Sequence, residues 1–376
     1  MEVLYNYSRP VRIRFLTSTP LDIRRGSGTY VGMHVLARAL AGLGHTVEFS
    51  TPRVRLPVYT FERLLYNRSL RADAEFDLTV GFDMDGYRIA GAPGHVASLK
   101  GVIADEVRFE AGLTRLTMGL QAKCERLHVE RAARVLATSR YSAERAREFY
   151  RLPRTPTVVP ELIDLPEWRR LLAQYPAEGP GRTGLHRPPC PAPVAQPPDE
   201  RSRFTVLYVG RLYRRKRVEV LLGGAAALRQ RIPGLEVRIV GSGPCAGPLH
   251  RLAADLKLDA TVRWLGDVSR AQLAAEYNRC DLFCLPSVQE GFGIVLLEAM
   301  AAGKPIVAAR AGAVPEVVPH GMLVEPGSHE ALAAGIAELY GSADQRAALG
   351  RVGAQWVEQF DAPRVARLFL AAAIGN

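Results

Sequence analysis

The chain has 376 residues, 48% of them hydrophobic and 23% charged, and a net charge of +11. That length exceeds what one hydrophobic core usually serves, so two domains are expected, and no run approaches the roughly 18 apolar residues of a spanning helix. The positive charge suits an anionic ligand or surface, but its arginines are dispersed and no nucleic-acid-binding signature accompanies them, which argues against nucleic acid.

The first ten residues carry Glu2 and several polar side chains where a secretory signal needs a basic start and an apolar run, so a cytoplasmic protein is expected. Val11, Ile13 and Phe15 alternate with Arg12 and Arg14, the period of a half-buried strand. After Gly26-Ser27-Gly28, residues Met33, Leu36, Ala37 and Leu40 share one helical face that ends near Gly44, and Thr46 to Phe49 resumes a strand. This βαβ order predicts a parallel sheet covered by helices. Further strands are expected at Phe76 to Val80, His95 to Leu99 and Val135 to Thr138. Phe61 to Arg71 mixes Phe61, Leu64 and Leu65 with arginines, and fits either a basic helix lying on an anionic membrane or an ordinary surface helix.

Between Pro176 and Pro198 there are eight prolines and no apolar periodicity, so residues 166–202 are expected to be a linker or surface excursion. Strands are then expected at Phe204 to Val209, Glu236 to Val240, Thr261 to Leu265, Asp281 to Leu285 and Pro305 to Ala308, with helices between them and from Glu330 onward. Two doubly wound domains follow, residues 1–165 and 203–358, facing each other across a cleft at the carboxyl ends of their strands. Residues 359–376 are expected to form a helix, with packing back onto the first domain as one placement for it. The five cysteines, Cys124, Cys190, Cys245, Cys280 and Cys284, have neither an even count nor metal-site spacing.

Chemistry concentrates in two segments. In Pro286 to Met300, Gly291 and Gly293 permit close backbone approach, and a helix start near Ile294 would direct unpaired N–H groups at an anion such as a diphosphate. Glu290 and Glu298 either accept bonds from sugar and ribose hydroxyls or are merely a helix cap and a solvated helix residue. In Val209 to Arg217, Arg211 and Lys216 follow a strand and could neutralise a leaving diphosphate, while Arg214, Arg215 and Arg217 read as a solvated basic helix start. Asp83-Met84-Asp85 has the Asp-x-Asp form of a metal site, but two carboxylates without partners do not fix a metal, so Asp83, Asp85 and Gly86 are expected to shape a turn or meet acceptor hydroxyls.

Over roughly residues 203 to 340 the chain resembles glycosyltransferase family four, the large retaining GT-B family. The resemblance rests on Gly210-Arg211-Leu212 with Lys216, Ile239 to Pro244, Leu265-Gly266 before Val268, Glu290-x7-Glu298, Glu298-Ala299-Met300-Ala301 before Gly303-Lys304-Pro305, and Val314-Pro315-Glu316. It implies an α/β GT-B fold and a nucleotide diphosphate sugar as co-substrate, with no other cofactor and no metal. It assigns Arg211 and Lys216 to the diphosphate, Glu290 to the transferred sugar, Glu298 to the ribose, and the backbone of Gly291, Phe292, Gly293 and Ile294 to phosphates or sugar. Gly241, Gly243 and Val268 would lie by the base, and Gly28 would approach the donor from the opposite wall. Where many members carry a histidine after the fourth strand, this chain has Lys100; it either replaces that histidine as a cation, yields the place to His95, or is a surface residue. The resemblance implies an acceptor among small molecules, glycans and lipids, with peripheral contact at the inner membrane face as one placement of the protein. A glycoside phosphorylase and a non-catalytic sugar-nucleotide binder are the alternative functions.

Overall fold

The computed structural model describes residues 9–20, 28–176 and 203–375, so Gly26, Ser27, Cys190 and the Pro-rich segment beyond residue 176 lie outside the described residues. The N-terminal half alternates β1 (Arg12–Leu16), α1 (Gly28–Gly42), β2 (Thr46–Ser50), α2 (Tyr59–Ser69), β3 (Leu78–Phe82) and β4 (His95–Leu99). It continues through α3 (Ile103–Glu106), α4 (Gly112–Arg131), β5 (Arg134–Ala137), α5 (Arg140–Tyr150), β6 (Thr157–Val158) and α6 (Leu165–Gln174). The C-terminal half runs β7 (Phe204–Val209), α7 (Val218–Leu228), β8 (Leu235–Val240), α8 (Ala246–Asp255), β9 (Val262–Gly266), α9 (Arg270–Arg279) and β10 (Leu282–Leu285). Then come α10 (Ile294–Ala301), β11 (Ile306–Ala309), α11 (Val314–Val317), β12 (Met322–Val324), α12 (His329–Gly341), α13 (Ala343–Trp356) and α14 (Ala362–Ile374).

Both sheets are six-stranded, in the orders β2-β1-β3-β4-β5-β6 and β12-β11-β10-β7-β8-β9, and every strand pair is parallel. Strands covered on both faces need apolar side chains on both, which is why Phe204–Val209 is buried at all six positions. In the second sheet the chain order reverses between β7 and β10, so the loops after these two neighbours open side by side at the place where doubly wound sheets bind ligands.

Two elements sit on the opposite domain from their neighbours in sequence. The expected linker begins inside a helix: α6 packs Leu165 and Trp168 into the C-terminal core, so residues 165–174 are an anchor rather than an excursion. Its half-buried Asp164 cap and Pro166 at the first turn set the helix start, and Trp168 is fully buried. Conversely, α14 contributes Val365, Phe369 and Leu370 to the N-terminal core, with Phe369 6.3 Å from Phe15. The two crossing segments touch where Ile163 bridges Asp361 in parallel.

Candidate functional site

Because β7 and β10 are neighbours, their loops bring Lys216 and Glu290 together: Nζ lies 2.6 Å from Oε1, with both side chains at most 15% exposed. Burial alone would push the Glu290 carboxyl up, but the Lys216 ammonium and the Arg215 charge outweigh it and hold the group below the usual carboxylate range. Burial likewise pulls the Lys216 ammonium below the ordinary lysine value, more than Glu290 restores. Glu290 does not cap α10, whose cap is Gly293 at φ 92° with no side-chain bond. A residue with a side chain is strained at that φ, and the glycine cap leaves the first N–H groups of α10 without a side-chain acceptor.

Arg215 departs from the expected solvated start. Its guanidinium bonds Gln289 at 3.0 Å and Glu106 of the N-terminal domain at 3.2 Å, because Lys216 and Arg215 share a 3-10 turn pressed under the β10 loop. Arg214 and Arg217 are exposed, as a solvated start requires. Arg211 turns to Ser242 (3.1 Å), which bonds Asp267 (2.8 Å), so its partner is the β8–α8 loop and not Glu290. Gly241 and Gly243 allow that loop to lie on the β7 loop: a Cβ would stand 2.1 Å from the Gly210 carbonyl oxygen at the first and 2.6 Å from the Leu212 backbone at the second. Val268 is half-buried before α9 and packs against the C-terminal core.

Glu298 is 5% exposed, so it is no solvated helix residue. Tyr277 donates to it at 3.2 Å and Arg270 stands 3.8 Å away. Burial raises its pKa against the lowering pull of Arg270 and Tyr277. Trp168 ties these groups together: its indole donates to the Glu298 carbonyl at 3.1 Å, its ring meets Tyr277 edge-on, and Arg270 lies over its face. The Phe292 side chain points into the core against Phe360, which leaves only its backbone to meet a ligand.

The opposite wall is contributed by the N-terminal domain. Gly291 packs so closely on Lys100 and Gly101 that a Cβ would lie 2.8 Å from the Lys100 carbonyl oxygen. The Gly291 carbonyl accepts from the hydroxyls of Thr138, Ser139 and Ser142, and Glu316 accepts from the backbone N–H groups of Arg140 and Tyr141, capping α5 from across the cleft. Lys100 is buried rather than on the surface, with Nζ 3.0 Å from Glu161, which is also buried. Glu161 was not singled out by sequence; it follows β6 in no motif, and only the fold brings it to Lys100. A Cβ at Gly32 in the first turns of α1 would meet Glu161 at 2.5 Å and Ile294 at 3.2 Å, so this pair sits where α1 and α10 converge. Gly28 is the first residue of α1.

His95 does not substitute for Lys100. It begins β4, 1% exposed, with Nε2 2.8 Å from His128 Nε2, and burial lowers its pKa to about 3. Asp85 is a hub of the fold: its two oxygens take bonds from Ser18, Arg63 and Asn67. Asp83, at φ 52°, accepts from the Lys100 N–H at 2.8 Å, and burial pushes its pKa up to about 6 despite Arg63. Gly86 bonds Asn67 at φ 111°, so these residues shape a turn. Among the described residues, no group of three or more His, Cys, Asp or Glu could hold a metal ion, and no helix is long and apolar enough to cross a membrane.

Residues 195–356 match the family model described as glycosyl transferases group 1. The chain is 36% identical over 166 residues to a GDP-mannose-dependent alpha-(1-6)-phosphatidylinositol monomannoside mannosyltransferase of Mycobacterium tuberculosis, a match spanning 42% of this chain and 43% of that protein. It is 38% identical over 158 residues to a D-inositol 3-phosphate glycosyltransferase of Pseudarthrobacter chlorophenolicus, covering 40% of this chain and 38% of that one. Less than half the length of these relatives is therefore matched. Over nearly the whole chain the fold is that of sucrose-phosphate synthase from Thermosynechococcus elongatus, with a TM-score of 0.75 at 20% identity, covering 96% of this chain and 97% of that one.

Proposed function

We propose that this chain, whose residues 195–356 match the model of group 1 glycosyl transferases and whose described residues have a GT-B fold, moves a hexose from a nucleoside diphosphate to an acceptor held by its N-terminal half, with retention of configuration and without metal. The observation that carries this reading is the buried Lys216–Glu290 pair beside the uncapped start of α10. An arriving diphosphate offers Lys216 a second anion, and the α10 N–H groups and Arg211 complete its cradle. These groups stabilise the charge that develops as the sugar–phosphate bond breaks. Glu290 then faces the hydroxyls of the transferred sugar. The acceptor attacks from the face that the diphosphate leaves, and no side chain serves as nucleophile. Glu298, fixed by Trp168, Tyr277 and Arg270, takes the ribose.

The test is incubation with GDP- and UDP-hexoses, following release of nucleoside diphosphate and the anomeric configuration of the product by NMR. Release is expected to continue in chelator, since fixed cations supply the charge a metal otherwise provides. Activity abolished by chelator and restored by manganese would return the metal role to Asp83. Lys100 is proposed to act as a cation on the β-phosphate or reacting sugar, held by Glu161. Lys100→Met is expected to lower kcat about tenfold or more. Glu161→Gln frees the ammonium from one of its bonds and is expected to do less harm; a larger loss from Glu161→Gln overturns the assignment to Lys100.

A further inference from the structure

Helices α2 and α4 are turned inside out. The residues α2 buries are Thr60, Glu62, Arg63, Tyr66 and Asn67, while Phe61 and Leu65 are 57% and 49% exposed. The inward charges are matched there: Glu62 pairs with Arg55, and Arg63 pairs with Asp85 at 3.2 Å. On α4 the buried residues are Gln121, Cys124, Glu125, His128 and Val129, while Leu113, Leu116 and Leu120 face outward, the first two 73% and 74% exposed. These leucines fall at i, i+3 and i+7, a single stripe. The two helices lie against each other, since Gln121 accepts from Arg63 at 2.9 Å and donates to Thr60 at 2.7 Å. Their outward faces therefore form one surface. Single exposed leucines are ordinary, but a contiguous apolar face on adjacent helices marks an interaction site.

Charge selects the partner. Arg53, Arg68, Arg115 and Lys123 are exposed on these two helices and the loop before α2, and over residues 53–69 and 112–131 the one exposed carboxylate, Glu130, is paired with Arg126. A second copy docked face to face would set these cations against one another. Nucleic acid would leave the leucines unmatched. We propose that α2 and α4 form a docking surface for an anionic lipid bilayer, with the leucine stripe entering the headgroup boundary and the cations meeting lipid phosphates. The surface adjoins the acceptor wall: Tyr59 and Arg55 of its edge reach the hydroxyl and carbonyl of Ser18, just past the carboxyl end of β1, at 3.4 and 3.2 Å. On the transfer reading above, on which this last step rests, a bilayer held there presents a lipid headgroup to the cleft as acceptor.

The experiment is sedimentation of the full chain with vesicles of phosphatidylcholine alone or mixed with phosphatidylglycerol, without donor. Binding is expected to the anionic vesicles only, to weaken with salt, and to fall at least tenfold in Leu113→Ser/Leu116→Ser and separately in Arg115→Glu/Lys123→Glu. Melting temperature and nucleoside diphosphate binding should stay unchanged in both variants. Absence of binding to anionic vesicles, or binding that neither variant alters, overturns the proposal. So does a dimer in light scattering that Leu113→Ser/Leu116→Ser dissolves, since the face would then be a contact between copies. Because no donor is present, failure here leaves the transfer reading standing, and failure of transfer leaves vesicle binding readable.

Discussion

Lys216→Ala is expected to lower kcat by about 10²- to 10³-fold, or about 3 to 4 kcal/mol in the barrier, with the fold intact. Lys216 is the cation that meets Glu290 at the switch point of the C-terminal sheet, and it stands where charge develops on the leaving diphosphate. Its removal also strips Glu290 of the charge that holds its pKa down, so the buried carboxyl rises and takes up a proton more readily. The two losses are therefore coupled, and Lys216→Ala/Glu290→Gln should cost far less than the sum of the single changes. Arg211→Ala should lose less, because its guanidinium is already committed to Ser242. Steady-state kinetics with a thermal melt of each variant check this. A Lys216→Ala enzyme with undiminished kcat would remove the diphosphate from this place.

The second large effect divides Glu290 from Glu298. Glu290→Gln is expected to damage turnover and to change which hexose is accepted while leaving affinity for free nucleoside diphosphate nearly unchanged. Glu298→Gln is expected to weaken that affinity about tenfold and to appear mainly in KM, since a contact far from the reacting bond binds ground and transition states alike. Their surroundings differ in the same sense: Glu290 is ionised beside Lys216, whereas Glu298 is buried against Tyr277 with its pKa raised. Calorimetry with sugar-free nucleotide decides it. Equal weakening by both variants, or a larger effect from Glu290, reverses the orientation of the donor.

The strands of the C-terminal half were legible because parallel strands covered on both faces must be written as apolar runs, and Phe204–Val209 coincides with its expected span. The edge strands β6 and β12, two and three residues long, carry too little pattern to stand out. Helix α6 is missed because its apolar anchor, Trp168, lies just ahead of the proline-rich stretch. At the site, motif spacing singles out Glu290 and Lys216 because their loops are each continuous in sequence. Glu161, Arg215 and the role of Glu316 have no such signal: Lys100 and Glu161 are 61 residues apart, and Arg140 and Glu316 are 176 apart. Such partners exist only once two sheets face each other. The polarity of α2 was open in sequence for the same reason, since the Asp85 that draws Arg63 inward belongs to the loop after β3.

The exchange of α6 and α14 between the halves has a consequence for biosynthesis. A ribosome makes the chain from its N-terminus, yet the N-terminal core is closed by Val365, Phe369 and Leu370, which are made only after every strand of the C-terminal sheet. The C-terminal half has nearly all of its packing partners earlier, with α6 already waiting ahead of β7. Domains usually mature in order of synthesis. Here the first half to emerge is the last to be completed, and a nascent chain halted before Ala362 keeps the apolar face around Phe15 uncovered.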